Sequence, residues 1–232
     1  MKQLAFDFAP PPPSTLDNFV PGRNAELLQN LQRLAAAGAG ERFLYVWGAA
    51  GSGRTHLLRG AVAAARAGGA NAAYVACVDN MRLPEDIVRL DCAAVDDVQH
   101  LDAEAQIALF NLYNELRERR GALLASGDAP PAQLELRQDL VTRLGWGLVY
   151  QVHALSDDEK AQALKHRAAA RGFALADEVC AYLLTRTRRD MSSLLALLDG
   201  LDRYSLQVKR PVTIALVREL LQAEKAGTRI ED

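Results

Sequence analysis

Two rhythms divide the apolar positions of this chain. Between Arg23 and about Ala37, Leu27, Leu28, Leu31 and Leu34 recur at helical spacing and predict an amphipathic helix. Phe43 to Trp47 is then a short continuous apolar run, which predicts a strand buried on both sides. Regular alternation follows: a helix from about Thr55 to Arg66, a strand near Ala73 to Val78, a strand from Cys92 to Val95, and a helix from about Ala103 to Arg119. A further strand spans Ala122 to Ser126, with loop and short helix to Leu144, and a last one covers roughly Leu148 to His153. Strands alternating with helices predict an α/β domain, a parallel five-stranded sheet with helices on both faces.

The pattern changes at Ser156. Ser156-Asp157-Asp158-Glu159 has the form of a capping box, in which Ser caps the first amides and Glu reaches back to the cap. Beyond it only helical periodicity remains, over Glu159–Arg171, Ala176–Arg186, Met191–Leu206 and Ile214–Ala223, the last capped by Thr213. The expected organisation is an N-terminal tail over 1–13, an α/β domain over 14–155 and an all-helical domain over 156–232. In the tail, MKQLAFDFA precedes Pro10 to Pro13, a stiff spacer that neither continues a helix nor joins a sheet.

Composition narrows the classes. A net charge of −2 lacks the basic excess of a dedicated nucleic-acid binder, though it leaves room for a local basic patch. Cys77, Cys92 and Cys180 are scattered in apolar surroundings with no zinc-ligand spacing, so buried free thiols in a reducing cytoplasm are expected. No leader is visible and no stretch reaches the ~18 apolar residues of a membrane span, so a cytoplasmic protein is expected.

The candidate chemistry begins with Gly48-Ala49-Ala50-Gly51-Ser52-Gly53-Arg54-Thr55, followed by His56. It fits G-x-x-x-x-G-K-[ST] except at Arg54, and it joins a predicted strand to a predicted helix. Glycines admit positive φ, so successive amides can turn inward around phosphate oxygens at a helix N-terminus. Thr55 would offer its hydroxyl to Mg²⁺. The competing reading is a merely flexible Gly/Ala turn, against which the strand–loop–helix setting argues. Guanidinium is larger than ammonium and planar, so Arg54 predicts weak hydrolysis and a preference for a diphosphate. Asp96-Asp97 closes the apolar run Cys92–Val95. There Asp96 would hold the metal's water shell, and Asp97 stands where a glutamate usually polarises water. An acidic turn capping the next element is the alternative.

With these motifs in place, the chain resembles the AAA+ region of the DnaA family of replication initiators, and more closely the Hda type of DnaA regulatory inactivator within it. Leu16-Asp17-Asn18-Phe19-Val20-Pro21-Gly22 resembles the entry segment that packs near the adenine, which puts Phe19 and Val20 there. Ser126-Gly127-Asp128 resembles sensor 1, with Asp128 facing the nucleotide. Asp139 to Gly147, with its Arg-Leu-Gly-Trp-Gly run, resembles box VII, whose arginine finger falls on Arg143. Gln3-Leu4-Ala5-Phe6-Asp7-Phe8 resembles the peptide that docks on the β sliding clamp of DNA polymerase III. There Leu4, Phe6 and Phe8 would fill an apolar pocket while Gln3 makes directional hydrogen bonds. The absence of a helix-turn-helix domain after the helical lid also favours the Hda type. One position departs: the sensor 2 arginine expected near Asp190-Met191-Ser192 is Ser192, with Arg188 and Arg189 one turn earlier.

The resemblance implies a protein that acts on another protein's site. Held on a DNA-loaded clamp, and so on DNA only indirectly, it would meet ATP-bound DnaA and place Arg143 on the partner's γ-phosphate, a contribution worth roughly 10³–10⁵ in rate. The expected bound nucleotide is ADP (or ATP) with Mg²⁺, with weak or no ATPase of its own and homo-oligomers. Other readings stand beside it: a helicase-loader-type ATPase acting on its own nucleotide, a nucleotide-independent adaptor, and for Arg143 alone a surface arginine at a helix C-terminus.

Overall fold

The computed structural model describes residues 13–36, 40–77, 90–187 and 190–227. These gather into two compact units, Ser14–Ala154 and Leu155 onward.

The first unit is a sheet with helices on both faces. Five strands, β1 (Phe43–Trp47), β2 (Ala72–Ala76), β3 (Cys92–Asp96), β4 (Ala122–Gly127) and β5 (Leu148–Gln151), form one sheet in the order β2-β3-β4-β1-β5. Every pairing is parallel. Helices α1 (Ala25–Ala35), α2 (Arg54–Ala67), α3 (Ala103–Glu118) and α4 (Gln138–Leu144) cover the faces. Because successive strand residues point to opposite sides, β4 serves two cores. Leu124 packs with Leu27, Leu31, Leu57 and Leu58 of α1 and α2. Leu123 and Ala125 pack with Leu109, Leu112 and Leu140 of α3 and α4. Strand β3 is buried throughout, and its Ala93, Ala94 and Val95 let both helical layers approach closely.

Several element ends differ from the sequence expectation, each for a local reason. Helix α1 starts at Ala25, after a 3₁₀ turn over Gly22–Asn24, because the Asn24 side chain turns inward instead of capping the helix. Its Nδ2 donates to His153 O at 2.9 Å and its Oδ1 accepts from His153 N at 2.8 Å. Strand β5 therefore stops at Gln151, and the chain beyond it is held by the Trp47 carbonyl and by Asn24. Strand β2 ends at Ala76, two residues short of Val78, which lies outside the described residues. Strand β1 is buried at Leu44, Tyr45 and Val46 but only half-buried at Phe43 and Trp47.

The second unit is all-helical: α5 (Asp157–Ala170), α6 (Asp177–Arg186), α7 (Met191–Val208) and α8 (Ile214–Gly227). Leu164, Val179, Leu183, Leu194, Leu198, Leu201 and Val217 share its core. The capping box at α5 forms in both directions: Glu159 N donates to Ser156 Oγ at 3.2 Å, and Ser156 N donates to Glu159 Oε2 at 2.7 Å. Asp190 caps α7 by accepting from Ser193 N at 2.8 Å.

Candidate nucleotide-binding site

The loop Gly48–Gly53 leaves the carboxyl end of β1 and turns into α2. In open α/β sheets this edge is where ligands bind, outside the carboxyl ends of the strands. Ser52 N donates to Ala49 O at 3.1 Å, and positive φ at Gly51 (76°) and Gly53 (106°) completes the turn. Gly53 is required twice, since an added Cβ would also stand 2.9 Å from the Phe19 ring. The first turn of α2 carries no acidic residue, so the positive end of its dipole faces the loop unneutralised.

Two donors at this loop have no partner. Ser52 is 7% exposed and its Oγ is unbonded, as is the buried Nη1 of Arg54. Buried polar atoms are ordinarily satisfied, so orphaned donors beside a helix N-terminus fit a site for an anion such as phosphate. The other arm of the guanidinium is engaged: Arg54 Nη2 lies 3.0 Å from Asp97 Oδ1. Asp97 also accepts from Gln99 Nε2 at 3.2 Å, and its backbone is left-handed, φ 60° and ψ 53°. Such a conformation is costly for a residue with a Cβ and persists only when its surroundings impose it. Here Asp97 N donates to Ser126 Oγ at 2.9 Å, which fixes the turn.

Asp96, 2% exposed, is the hub of the cluster. Thr55 Oγ1 and Tyr74 OH each donate to its Oδ2 at 2.7 Å, and Ser126 Oγ donates to its Oδ1. Thr55 gives its proton to Asp96 and so keeps oxygen lone pairs, which is the donor chemistry a hard divalent cation needs. The buried negative charge is felt nearby. Burial, followed by the hydrogen bond to Asp96, pushes the Tyr74 phenol up to about 12. Burial, followed by the charges of Asp96 and Asp97, pushes the Cys77 thiol up to about 12, so it is an inert thiol.

The entry segment closes over α2. Thr15 and Asn18 exchange backbone-to-side-chain hydrogen bonds, and the backbone at Thr15–Leu16 lies so near α2 that a Cβ on Gly60 would stand 2.9 Å away. His56 Nε2 sits 2.9 Å from Thr15 O and its ring 5.6 Å from Phe19. Burial lowers the His56 pKa, so its neutral form donates through Nε2. Phe19 thus flanks the loop, with Val20 half-buried beside it in the chain.

Not every expected residue joins the cluster. Asp128 is exposed, and its charge reaches Tyr45, whose phenol is raised first by burial and then by Asp128. Ser126 is the residue of that segment that touches Asp96 and Asp97. Tyr74 carried no sequence signal and Ser126 only that of its segment, because strand pairing alone brings each beside Asp96; Gln99, two residues past Asp97, was likewise not singled out. Gln3, Leu4, Phe6 and Phe8 lie outside the described residues, as do Arg188 and Arg189. Ser192 is half-buried in the first turn of α7. Among the described residues, no group of three His, Cys, Asp or Glu could by itself hold a metal.

Arg143 stands at the other end of the sheet. It lies in the last turn of α4, and two residues beyond the adjoining Gly145 the chain passes Gly147, where an added Cβ would be 2.1 Å from Phe43 O at the start of β1. The phosphate loop begins after Trp47, at the far end of the same strand, roughly 13 Å along at about 3.3 Å per residue. The Arg143 guanidinium lies 4.0 Å from the Trp146 ring centroid and 5.4 Å from that of Phe110. Trp146 itself is 52% exposed.

A phosphate loop after β1, an acidic pair after β3, this strand order and a separate helical unit define a P-loop protein of the AAA+ class. Residues 12–151 match the model of the bacterial DnaA ATPase domain, and residues 157–221 match that of the Hda lid domain; the chain belongs to the DnaA/Hda family. Solved structures agree on the fold. Domain III of the Thermotoga maritima replication initiation protein DnaA is 23% identical, with a TM-score of 0.70 over 91% of this chain and 96% of that one. AMPPCP-bound DnaA from Aquifex aeolicus is 22% identical, with a TM-score of 0.65 over 85% and 70%. Thermotoga maritima RuvB is 15% identical, with a TM-score of 0.62 over 92% and 72%. Among the described residues, no helix is long and apolar enough to cross a membrane.

Proposed function

We propose that this protein is a regulatory inactivator of the replication initiator DnaA: it holds a nucleoside diphosphate in its own loop and promotes hydrolysis of ATP bound to its partner through Arg143. The observation that carries this reading is a contrast between two arginines. Arg54, in the chain's own site, is tied to Asp97, which stands in sequence where a glutamate would polarise water. Arg143 is half-buried against Trp146, at the opposite end of β1 from that site, where its charge lies too far away to serve the chain's own loop and is left for a neighbour's phosphate.

The loop's residues have distinct parts. The amides of Ala49 to Thr55, Ser52 Oγ and the free arm of Arg54 bind phosphate. Gly48 admits no larger residue, since a Cβ would lie 2.6 Å from Val152 O. Phe19 and Val20 flank the nucleoside, in a fold that in Aquifex aeolicus DnaA binds AMPPCP. Thr55 and Asp96 are the residues that would hold Mg²⁺, which when bound neutralises phosphate charge. Asp97 holds Arg54 in line, and with its charge so spent the chain has little means to hydrolyse its own nucleotide. Residues 3–8 would seat the protein on the β sliding clamp, and so on DNA, in the cytoplasm where the initiator works.

The test is reconstitution with labelled ATP on DnaA, DNA-loaded clamp and the full chain. Wild type accelerates hydrolysis, while Arg143→Ala, with an unchanged melting temperature, loses roughly 10³-fold of the acceleration. Stimulation by that variant equal to wild type, or fast ATP turnover by the purified chain alone, defeats the proposal.

A further inference from the structure

An arginine that must lend its charge to another molecule needs a resting place that leaves the charge intact. A carboxylate partner would neutralise it and have to be broken at each encounter, as Asp97 does for Arg54. Full exposure would leave a long stem with many rotamers to freeze. Arg143 has neither fate. Among the described residues no carboxylate pairs with it, its Nε is buried without a partner, and its guanidinium rests on Trp146 with Phe110 and Tyr113 behind. Arg117 of α3 lies 5.1 Å from the same indole centroid, so two cations share one ring.

We propose that Trp146 is a positioning residue for Arg143: its exposed indole holds the half-buried guanidinium oriented and un-neutralised, until a neighbour's phosphate takes it. The ring is a fixed platform. Trp146 N donates to Arg143 O at 3.2 Å, and Gly147 is wedged against Phe43 O, so the indole's backbone is held on both sides. An aromatic of this size left half in water costs burial that the core could have used. A stacked cation is the chemistry that repays an exposed indole, Trp being the strongest of the aromatic rings for that contact. Both guanidiniums also oppose the burial that raises the Tyr113 phenol, which places them together at this corner.

The inference rests on the finger reading, and its test separates the two. In the same reconstitution, Trp146→Ala lowers the maximal stimulated rate about tenfold, while the concentration giving half-maximal stimulation changes less than about twofold. Trp146→Phe keeps a ring and recovers to within about threefold of wild type. Arg143→Ala reports on the finger itself: if it is as active as wild type, the finger reading falls and this one with it. If Arg143→Ala is inactive while Trp146→Ala keeps the wild-type maximal rate, or the Phe variant is as impaired as the Ala variant, only the positioning role is overturned. A second readout needs no activity. In a Trp47→Phe background, quenching of Trp146 emission by the neutral quencher acrylamide rises when Arg143 is replaced by Ala and a ring face is uncovered, and unchanged quenching overturns the stacking.

Discussion

Arg54 carries its charge on a planar fork, with one arm on Asp97 and the other buried without a partner. On the proposed reading, a γ-phosphate would compete with that ion pair, whereas a β-phosphate would use only the free arm. Arg54→Lys, with a compact ammonium on a flexible stem, is therefore expected to move the ratio of ATP to ADP affinity toward ATP by about tenfold. Calorimetry giving an unchanged ratio rejects the proposed diphosphate preference. His56 gives a residue-scale pH effect. Its pKa in the folded protein lies below the ordinary 6.5, so below 6.5 the unfolded chain binds a proton that the folded one refuses. Stability is thus full above 6.5 and declines as the pH falls from 6.5 toward the lowered value. The melting temperature of His56→Gln should lack this part of the decline between pH 7 and 5; an identical profile for both proteins counts against it.

At the scale of elements, caps and turns do most of the positioning. The box at Ser156 satisfies two end groups of α5, and Ser156→Ala is expected to cost about 1 kcal/mol in denaturant titration. No loss would mean that water serves the helix end equally well. These elements were readable because their signals are local: the leucine spacing of α1, the alanine-rich β3, the Ser-x-x-Glu box. The ends of α1 and β5 were not, since they are set by Asn24 meeting His153 across 129 positions of chain. From spacing, the loop Gly48–Thr55 was legible as a glycine-bearing turn between a strand and a helix. That Ser126, and not Asp128, reaches the acidic pair was not, because only the pairing of β3 with β4 brings Ser126 beside it.

For the whole molecule, the sequence spoke most clearly about class and least about what lies across its surface. The alternation of strands and helices gave the sheet; the partnership of Arg143 with Trp146 and Arg117 joins α4 to α3 and has no sequence period. The tail belongs to this scale. Deleting residues 1–8 should leave the melting temperature unchanged and remove the dependence of stimulated hydrolysis on DNA-loaded clamp. Clamp-dependent stimulation that survives the deletion assigns that contact elsewhere.

Asn24 acts toward His153 as a short extra strand would, offering one donor and one acceptor to a backbone that has run out of neighbours. The consequence is topological. The first turn ahead of α1 is buttoned to the last residues of the α/β unit, so its beginning and end are neighbours and neither can fray alone.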